Sequence, residues 1–368
     1  MAKRRSTMSL NPFKKRSYVG IDIGHKTINL VQLEKVGHGW KVSRQGMIPT
    51  PSDSVKDGVV IDPDVVGIAI KGALREFKIS ASSAVVAVSG ASVIVRMIKT
   101  AKMTPQMLRK SIRYEAGHYV PSSIEDSYIE FEILGETEDG QLDVMIVAAP
   151  REVVESKKRA VERADLEVDI VDIEAFAIYR SLIEADENSV LHNMTVAIVD
   201  VGAAATTVSV VSDGKFMMTR TIVAAGQAMT DALKSYFQLN DEQAEIGKSQ
   251  LDFTPLAANP LTDNPPLKVV QGHVDDLARE IRRSIGYFQT QQAEGAKSNP
   301  VTHILLTGGG AKLRGLGEYM SSKLGAEVIT TGIYDNPKFI PIGDLPPGKG
   351  LEWSVATGLA MRAFMKAA

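Results

Sequence analysis

The sequence predicts an α/β protein of two similar lobes facing each other across a cleft. Three observations carry that expectation. VGIDIGHKTINLVQLE and VAIVDVGAAATTVSVVS share one layout, an apolar strand ending in Asp-x-Gly, a short turn, a Thr and a second apolar strand, with Asp22 and Asp200 178 positions apart. A repeat at that distance marks a duplicated half, not a solenoid period. Apolar strand-like runs alternate with helical patterns along most of the chain, and HILLTGGGAKLRGL gives a further strand, a three-glycine turn and a helix start.

The elements follow in order. Residues 18–23 and 28–34 read as two strands around a tight turn, and WKVSRQGMIP as a third. Asp62-Pro63 opens a helix to about Phe77, with Asp as N-cap and Pro at the first helical position. SAVVAVS and SVIVRMIK are strands hinged at Gly90. Thr104-Pro105 starts a helix that ends before Pro121; SYIEFEIL and LDVMIVAA are strands joined by EDG; Pro150 begins a helix to about Ala164. Residues 81–165 are thereby expected to form one ββαββα unit. LEVDIVDIEAFAIYRSLI is a strand then a helix, and the second hairpin is followed by a helix from about Gln227 to Phe237. Residues 251–268, rich in Pro and Asn, predict a surface loop. A long helix at about 273–293 and a last one at about 351–366 complete the chain.

Composition narrows the function. The 368 residues are 44% hydrophobic and 23% charged with net charge −2, a globular balance without a field that recruits nucleic acid. With no cysteine there is neither a disulfide framework nor a thiolate metal site. No apolar run of 18 residues and no signal-peptide pattern is present, so a cytoplasmic protein is expected. The first 16 residues hold six basic groups and no acid, which suits either a solubilising tail or contact with an anionic membrane face.

Two Asp-x-Gly turns facing each other have a specific chemistry. Successive backbone N–H groups in a glycine turn bind anions, and Gly24 and Gly202 allow a phosphate close to the backbone. Lys26 and the hydroxyls of Thr27 and Thr206 add donors. Asp22 and Asp200, at strand ends, suit Mg²⁺ held through water. Gly308, Gly309 and Gly310 allow close approach of a ribose or α-phosphate before a helix N-terminus. Gly247-Lys248-Ser249 mimics a phosphate-binding P-loop, but Glu242 stands where that motif requires glycine.

This ordered set of hairpin, hairpin and strand-Gly-Gly-Gly-helix resembles the actin-like (ribonuclease H-like) ATPase superfamily over residues 18–368, and SVATGLAMRAF and DIEAFAIYR resemble its two connecting helices. Placement of the 81–165 unit resembles the inserted 1C (SHS2-like) subdomain of the FtsA branch. IRYEAGHYVPSSIEDSYIEFEIL, and NPFKKR before the first hairpin, resemble the PilM family of type IV pilus and type II secretion-like machines. The resemblance implies lobe 1A at 18–80, 166–195 and 335–368, subdomain 1C at 81–165, lobe 2A at 196–230 and 300–334, and subdomain 2B at 231–299. It implies ATP or ADP with Mg²⁺ as cofactors. Its implied partner is the N-terminal cytoplasmic peptide of a PilN-like membrane protein, which places the chain at the inner-membrane face with other pilus components and the motor. Self-association is a further possibility it raises. Glu280 and Arg283, three apart on one helix, resemble the pair that holds adenosine, and His25, Ala203, Gly226 and Lys312 complete the expected cofactor set.

The chain departs from its relatives at His25, where many carry Ser, and at Ala203, Ala204 and Ala205, where side-chain donors are lost. His25 is expected to point to solvent. Glu174 is the candidate to orient a hydrolytic water, and weak or absent ATPase activity is expected. An FtsA-like division filament is the second reading, set back because the chain stops at Ala368 without an amphipathic tail. A sugar or acetate kinase ranks third, because no acceptor-site base is evident.

Overall fold

The computed structural model describes residues 16–119, 124–137, 139–259, 263–291, 300–345 and 347–365. The first lobe opens with β1 (Tyr18–Ile23), β2 (Thr27–Val36) and β3 (Gly39–Pro49). A small hairpin, β4 (Val55–Lys56) with β5 (Val59–Val60), leads to α1 (Pro63–Glu76). Asp62 caps α1 by accepting from the Val65 amide, the start expected from sequence. Strand β6 (Ser83–Val88) precedes β7 (Ile94–Ala101), α2 (Pro105–Ala116), β8 (Ser127–Glu136) and β9 (Gln141–Pro150). The chain then continues with α3 (Arg151–Arg163), β10 (Glu167–Ile173) and α4 (Glu174–Tyr179), which runs into a π-helical turn at Arg180–Glu184.

The second lobe holds β11 (Thr195–Val201), β12 (Thr206–Ser212), β13 (Lys215–Ile222), α5 (Gly226–Phe237), α6 (Asp241–Ser249), α7 (Thr254–Ala258), α8 (Pro265–Gln291), β14 (His303–Thr307), α9 (Leu316–Leu324) and β15 (Glu327–Thr330). Finally β16 (Phe339–Ile340) and α10 (Ser354–Arg362) return to the first lobe. Among the described residues no helix is long and apolar enough to cross a membrane.

The two sheets have the same topology. Lobe 1 is ordered β10-β6-β1-β2-β3, with β16 added at the end, and lobe 2 is β15-β14-β11-β12-β13. In each, the hairpin strands are antiparallel and the remaining two are parallel to the first. The duplication read from two hairpins thus extends to five strands per lobe. β11 and β12 are buried along their whole length, as expected of strands covered on both faces.

The unit at 81–165 divides differently from the sequence expectation. β6 lies between β1 and β10 in the first lobe's own sheet, and Ala160, Val161 and Ala164 at the end of α3 pack with Val66 and Ile70 of α1 in that lobe's core. Parallel pairing of β6 with β1 joins strands some sixty residues apart, which no local pattern announces. The inserted part is the three-stranded sheet β7-β9-β8 with α2, whose core is Ile98, Leu108, Ile112, Val144 and Ile146. The Pro- and Asn-rich stretch carries α7 and the first turns of α8, so the long helix begins at Pro265, not near 273. α6 was not expected, and a capping box between Asn240 and Gln243 starts it. Residues 1–15 of the basic N-terminus lie outside the described residues, as does the segment 120–123 around Pro121.

The connecting helices hold the lobes together. Val85 and Ala87 of lobe 1, Ile198 and Leu305 of lobe 2, and Ile178 and Leu359 of the two helices share one core. A Cβ at Gly358 would overlap the Ala177 carbonyl, and one at Gly20 would overlap that of Ala356, so α10 lies directly on α4 and β1. Arg180 bridges all three layers, donating to Asp172 on β10 at 2.9 Å and to the Gly358 carbonyl at 3.0 Å.

Candidate functional site

The two Asp-x-Gly turns are closed by the same hydrogen bond. Gly24 N–H donates to the Thr27 carbonyl and Gly202 N–H to the Ala205 carbonyl, each at 3.0 Å. A Cβ at either glycine would crowd that carbonyl, at 2.9 and 2.8 Å. Each turn is braced from outside. Thr50 donates its N–H to Lys26 O and its hydroxyl to Gly24 O, while Gly226 and Gln227 donate their N–H groups to Gly202 O and Ala203 O. Gly226 therefore seats the first turn of α5 against the second hairpin.

Asp22 and Asp200 stand at the ends of β1 and β11, opposite Asn29 and Thr207 across their hairpins. Burial and then the charge of Glu174 push the Asp22 carboxyl up to about 7, while Lys157 and the Asn29 amide pull the other way. Asp200 is raised well above the ordinary carboxylate range by burial, then Glu174, then Asp22. Glu174, the first residue of α4, thus joins both aspartates in one acidic cluster. Among the described residues no three acidic or imidazole groups gather tightly enough to bind a metal directly. The donor set fits a hydrated Mg²⁺ held through its waters, the coordination that ion favours.

The three glycines have different jobs. Gly308, at φ +88°, has no room for a side chain, which would overlap Asp200 Oδ1; a Cβ on Gly310 would meet Val201 Cγ1 at 2.5 Å. Both serve the packing of the turn onto β11. Gly309 faces open space and is the one free to meet a ligand. Lys312 is paired with Glu352 at 2.7 Å, whose carbonyl accepts from Asn29.

His25 is exposed and also donates Nδ1–H to the Val55 carbonyl at 3.1 Å, a partner the sequence does not indicate. Its bond ties the first turn to the β4–β5 hairpin. Thr206 is fully buried and its hydroxyl donates to Ala224 O at 2.7 Å, so that oxygen has no proton left for a phosphate. The second turn, with Ala203–Ala205 at its tip, offers backbone N–H groups alone. Lys26 is exposed at the first tip, and its charge reaches Asp241 on α6, a carboxyl held low chiefly by Lys234. The first lobe's turn therefore faces the second lobe's helices. Glu280 and Arg283 do pair, at 2.7 Å, and Glu280 also lies 3.6 Å from Arg220 of β13. Lys248, of the rejected P-loop mimic, sits on α6 and donates to Thr230 at 2.9 Å, beneath the second turn.

Sequence reasoning missed Asn29, Lys157 and Arg220. Asn29 had a signal, since it lies seven residues after Asp22 in a hairpin whose register places the two opposite each other. Lys157 and Arg220 had none.

A family model described as type IV pilus assembly protein PilM matches residues 20–364. A solved structure, a PilM–PilN type IV pilus biogenesis complex, is 25% identical with TM-score 0.82 and covers 95% of this chain and 99% of that one. FtsA of Streptococcus pneumoniae is 20% identical over 352 residues, 84% of this chain and 74% of that protein. FtsA of Bacillus subtilis is 22% identical over 259 residues, and the match spans 64% of this chain and 58% of that protein. MreB5 of Spiroplasma citri bound to AMPPNP, 14% identical with TM-score 0.51 over 95% of this chain and 96% of that one, shares the fold. The two-lobe architecture is the actin-like α/β fold.

Proposed function

Because the chain belongs to the PilM family of type IV pilus assembly proteins, we propose that it is an ATP-binding, actin-like member of the pilus inner-membrane platform that captures the N-terminal cytoplasmic peptide of a PilN-like membrane protein in a nucleotide-sensitive way. The observation that carries the nucleotide half is the pair of turns closed by identical 3.0 Å bonds with Asp22, Asp200 and Glu174 between them. Backbone N–H groups of both turns and Lys26 would hold the phosphates, Gly309 and the Glu280–Arg283 pair the adenosine, and water-bridged Asp22 and Asp200 a Mg²⁺. Bound Mg²⁺ would supply positive charge against the phosphates. The PilN half rests on family membership and on the likeness to the PilM–PilN complex. The groove where the inserted sheet meets lobe 1 suits an extended peptide, because β8 has an open edge for added hydrogen bonds.

Hydrolysis is weak or absent in this reading. Thr206 is committed elsewhere, three alanines line the second tip, and Glu174 is left as the group to orient a water. Calorimetry with ATP and Mg²⁺ on the wild-type chain and Asp22→Ala tests the phosphate site; equal affinities would sink it. A pull-down with the PilN-like tail, with ATP present, tests the partner. The likeness to FtsA favours one second reading, a filament former, which electron microscopy of the chain with ATP decides.

A further inference from the structure

Lys157 is a lysine only 3% exposed, on α3. A buried ammonium is costly unless paired. It donates one of its three N–H groups to the Ala87 carbonyl at 2.8 Å. Ala87 follows Val86 on β6, and Val86 is the partner of Ile21, so the bonded carbonyl belongs to the strand neighbour of Asp22. Lys157 is also the cation whose charge acts on Asp22, within a cluster that otherwise contains three carboxylates. The buried cation and the carboxylates of the cluster thus compensate each other across β1 and β6.

The helix that carries Lys157 has a second tie to the phosphate turn. Ser156 Oγ accepts from the Val60 amide at 3.1 Å, and β5, which contains Val60, pairs with β4, where the Val55 carbonyl accepts from His25. In the other direction α3 follows directly on β9, and Val153 packs with Val95 and Met145 of the inserted sheet. One helix therefore bonds the strand neighbour of Asp22, braces the small hairpin that holds His25 and packs on the insert.

We propose that Lys157 is a positioning residue of the phosphate site, a fixed cation that holds Asp22 in place and links it through α3 to the inserted sheet. This rests on the nucleotide reading above. The arrangement makes α3 one element through which occupation of the cleft reaches the insert.

The test uses the full chain with ATP and Mg²⁺. Lys157→Gln keeps a donor for Ala87 and removes the charge; Lys157→Arg keeps the charge. Calorimetry is expected to show Lys157→Gln binding about tenfold more weakly and Lys157→Arg restored to within about threefold, a pattern a packing role would not give. Hydrogen exchange adds a second readout, with ATP slowing α3 and β9 amides in the wild type but not in Lys157→Gln. Wild-type affinity and protection in Lys157→Gln, or equal losses in both variants, would overturn the proposal. If Lys157→Gln does not fold, Lys157→Met replaces it under the same criteria. A wild-type chain giving no heat with ATP would instead bring down the nucleotide reading, and this inference with it.

Discussion

Asp22 carries a measurable pH signature. Unfolded, its carboxyl ionises near the ordinary value of 3.8; folded, near 7. Between those values the native state keeps a proton that the unfolded chain has released. The contribution to stability is complete below about pH 4 and is lost as the pH rises through 7. Asp22→Asn removes this dependence, so its stability relative to wild type is expected to rise by roughly 2–4 kcal/mol between pH 4 and 8. Paired urea titrations at the two pH values read this directly; a constant difference would show that the aspartate is not desolvated. The three glycines give a second contrast. Gly308→Ala is strained by its positive φ and overlaps Asp200, and is expected to cost more than about 1 kcal/mol. Gly309→Ala meets open space, so its melting temperature should match wild type while ATP affinity falls. Thermal melts and calorimetry on the pair separate packing from ligand contact.

At the level of elements, the crossing of α4 and α10 depends on one missing side chain. Gly358→Ala would push a methyl into the Ala177 carbonyl, and with it the Arg180 bond to Gly358 O. Overpacking of this kind typically costs about 1–3 kcal/mol, read as a lower urea midpoint; an unchanged midpoint would mean the helices part freely. Elements were legible in the sequence where their signals were local. Asp62-Pro63 and Thr104-Pro105 announced α1 and α2 because a cap is fixed by neighbours, and both caps are present. The Asp-x-Gly hairpins were legible because strand pairing across a short turn is set by the turn. Pairing of β6 with β1 and β10 was not, since it depends on residues far apart in the chain. Lys157 was illegible for a related reason. In KKRAVER it looks like the solvated face of an amphipathic helix, and only the packing of α3 on α1 and β6 shows that it points inward.

For the whole molecule, the proposed function requires that a nucleotide between the two lobes alter a peptide groove on the insert. The insert does not touch lobe 1 alone. Phe216, on β13 of lobe 2, is buried against Phe176 and Tyr179 of the first connecting helix, at ring separations of 4.8 and 5.8 Å, and shares a core with Val95 and Met145 of the inserted sheet. Tyr179 also donates its hydroxyl to Gly214 O in the β12–β13 turn at 2.6 Å. A rotation of lobe 2 about the connecting helices therefore moves Phe216 within the core that the insert shares with lobe 1 and the first connecting helix. A packed core has discrete arrangements and does not deform continuously, so the insert must follow or repack. Phe216→Leu keeps an apolar residue there but gives up the two edge-to-face contacts, each worth about 0.5–1.5 kcal/mol. The expected outcome is a chain that binds ATP as wild type does, yet whose affinity for the PilN-like peptide changes less with ATP than that of the wild type. Peptide titrations by fluorescence anisotropy, with and without ATP and Mg²⁺, measure that ratio. A wild-type ratio in Phe216→Leu would place the coupling elsewhere, on the α3 side of the insert, and leave Phe216 a packing residue.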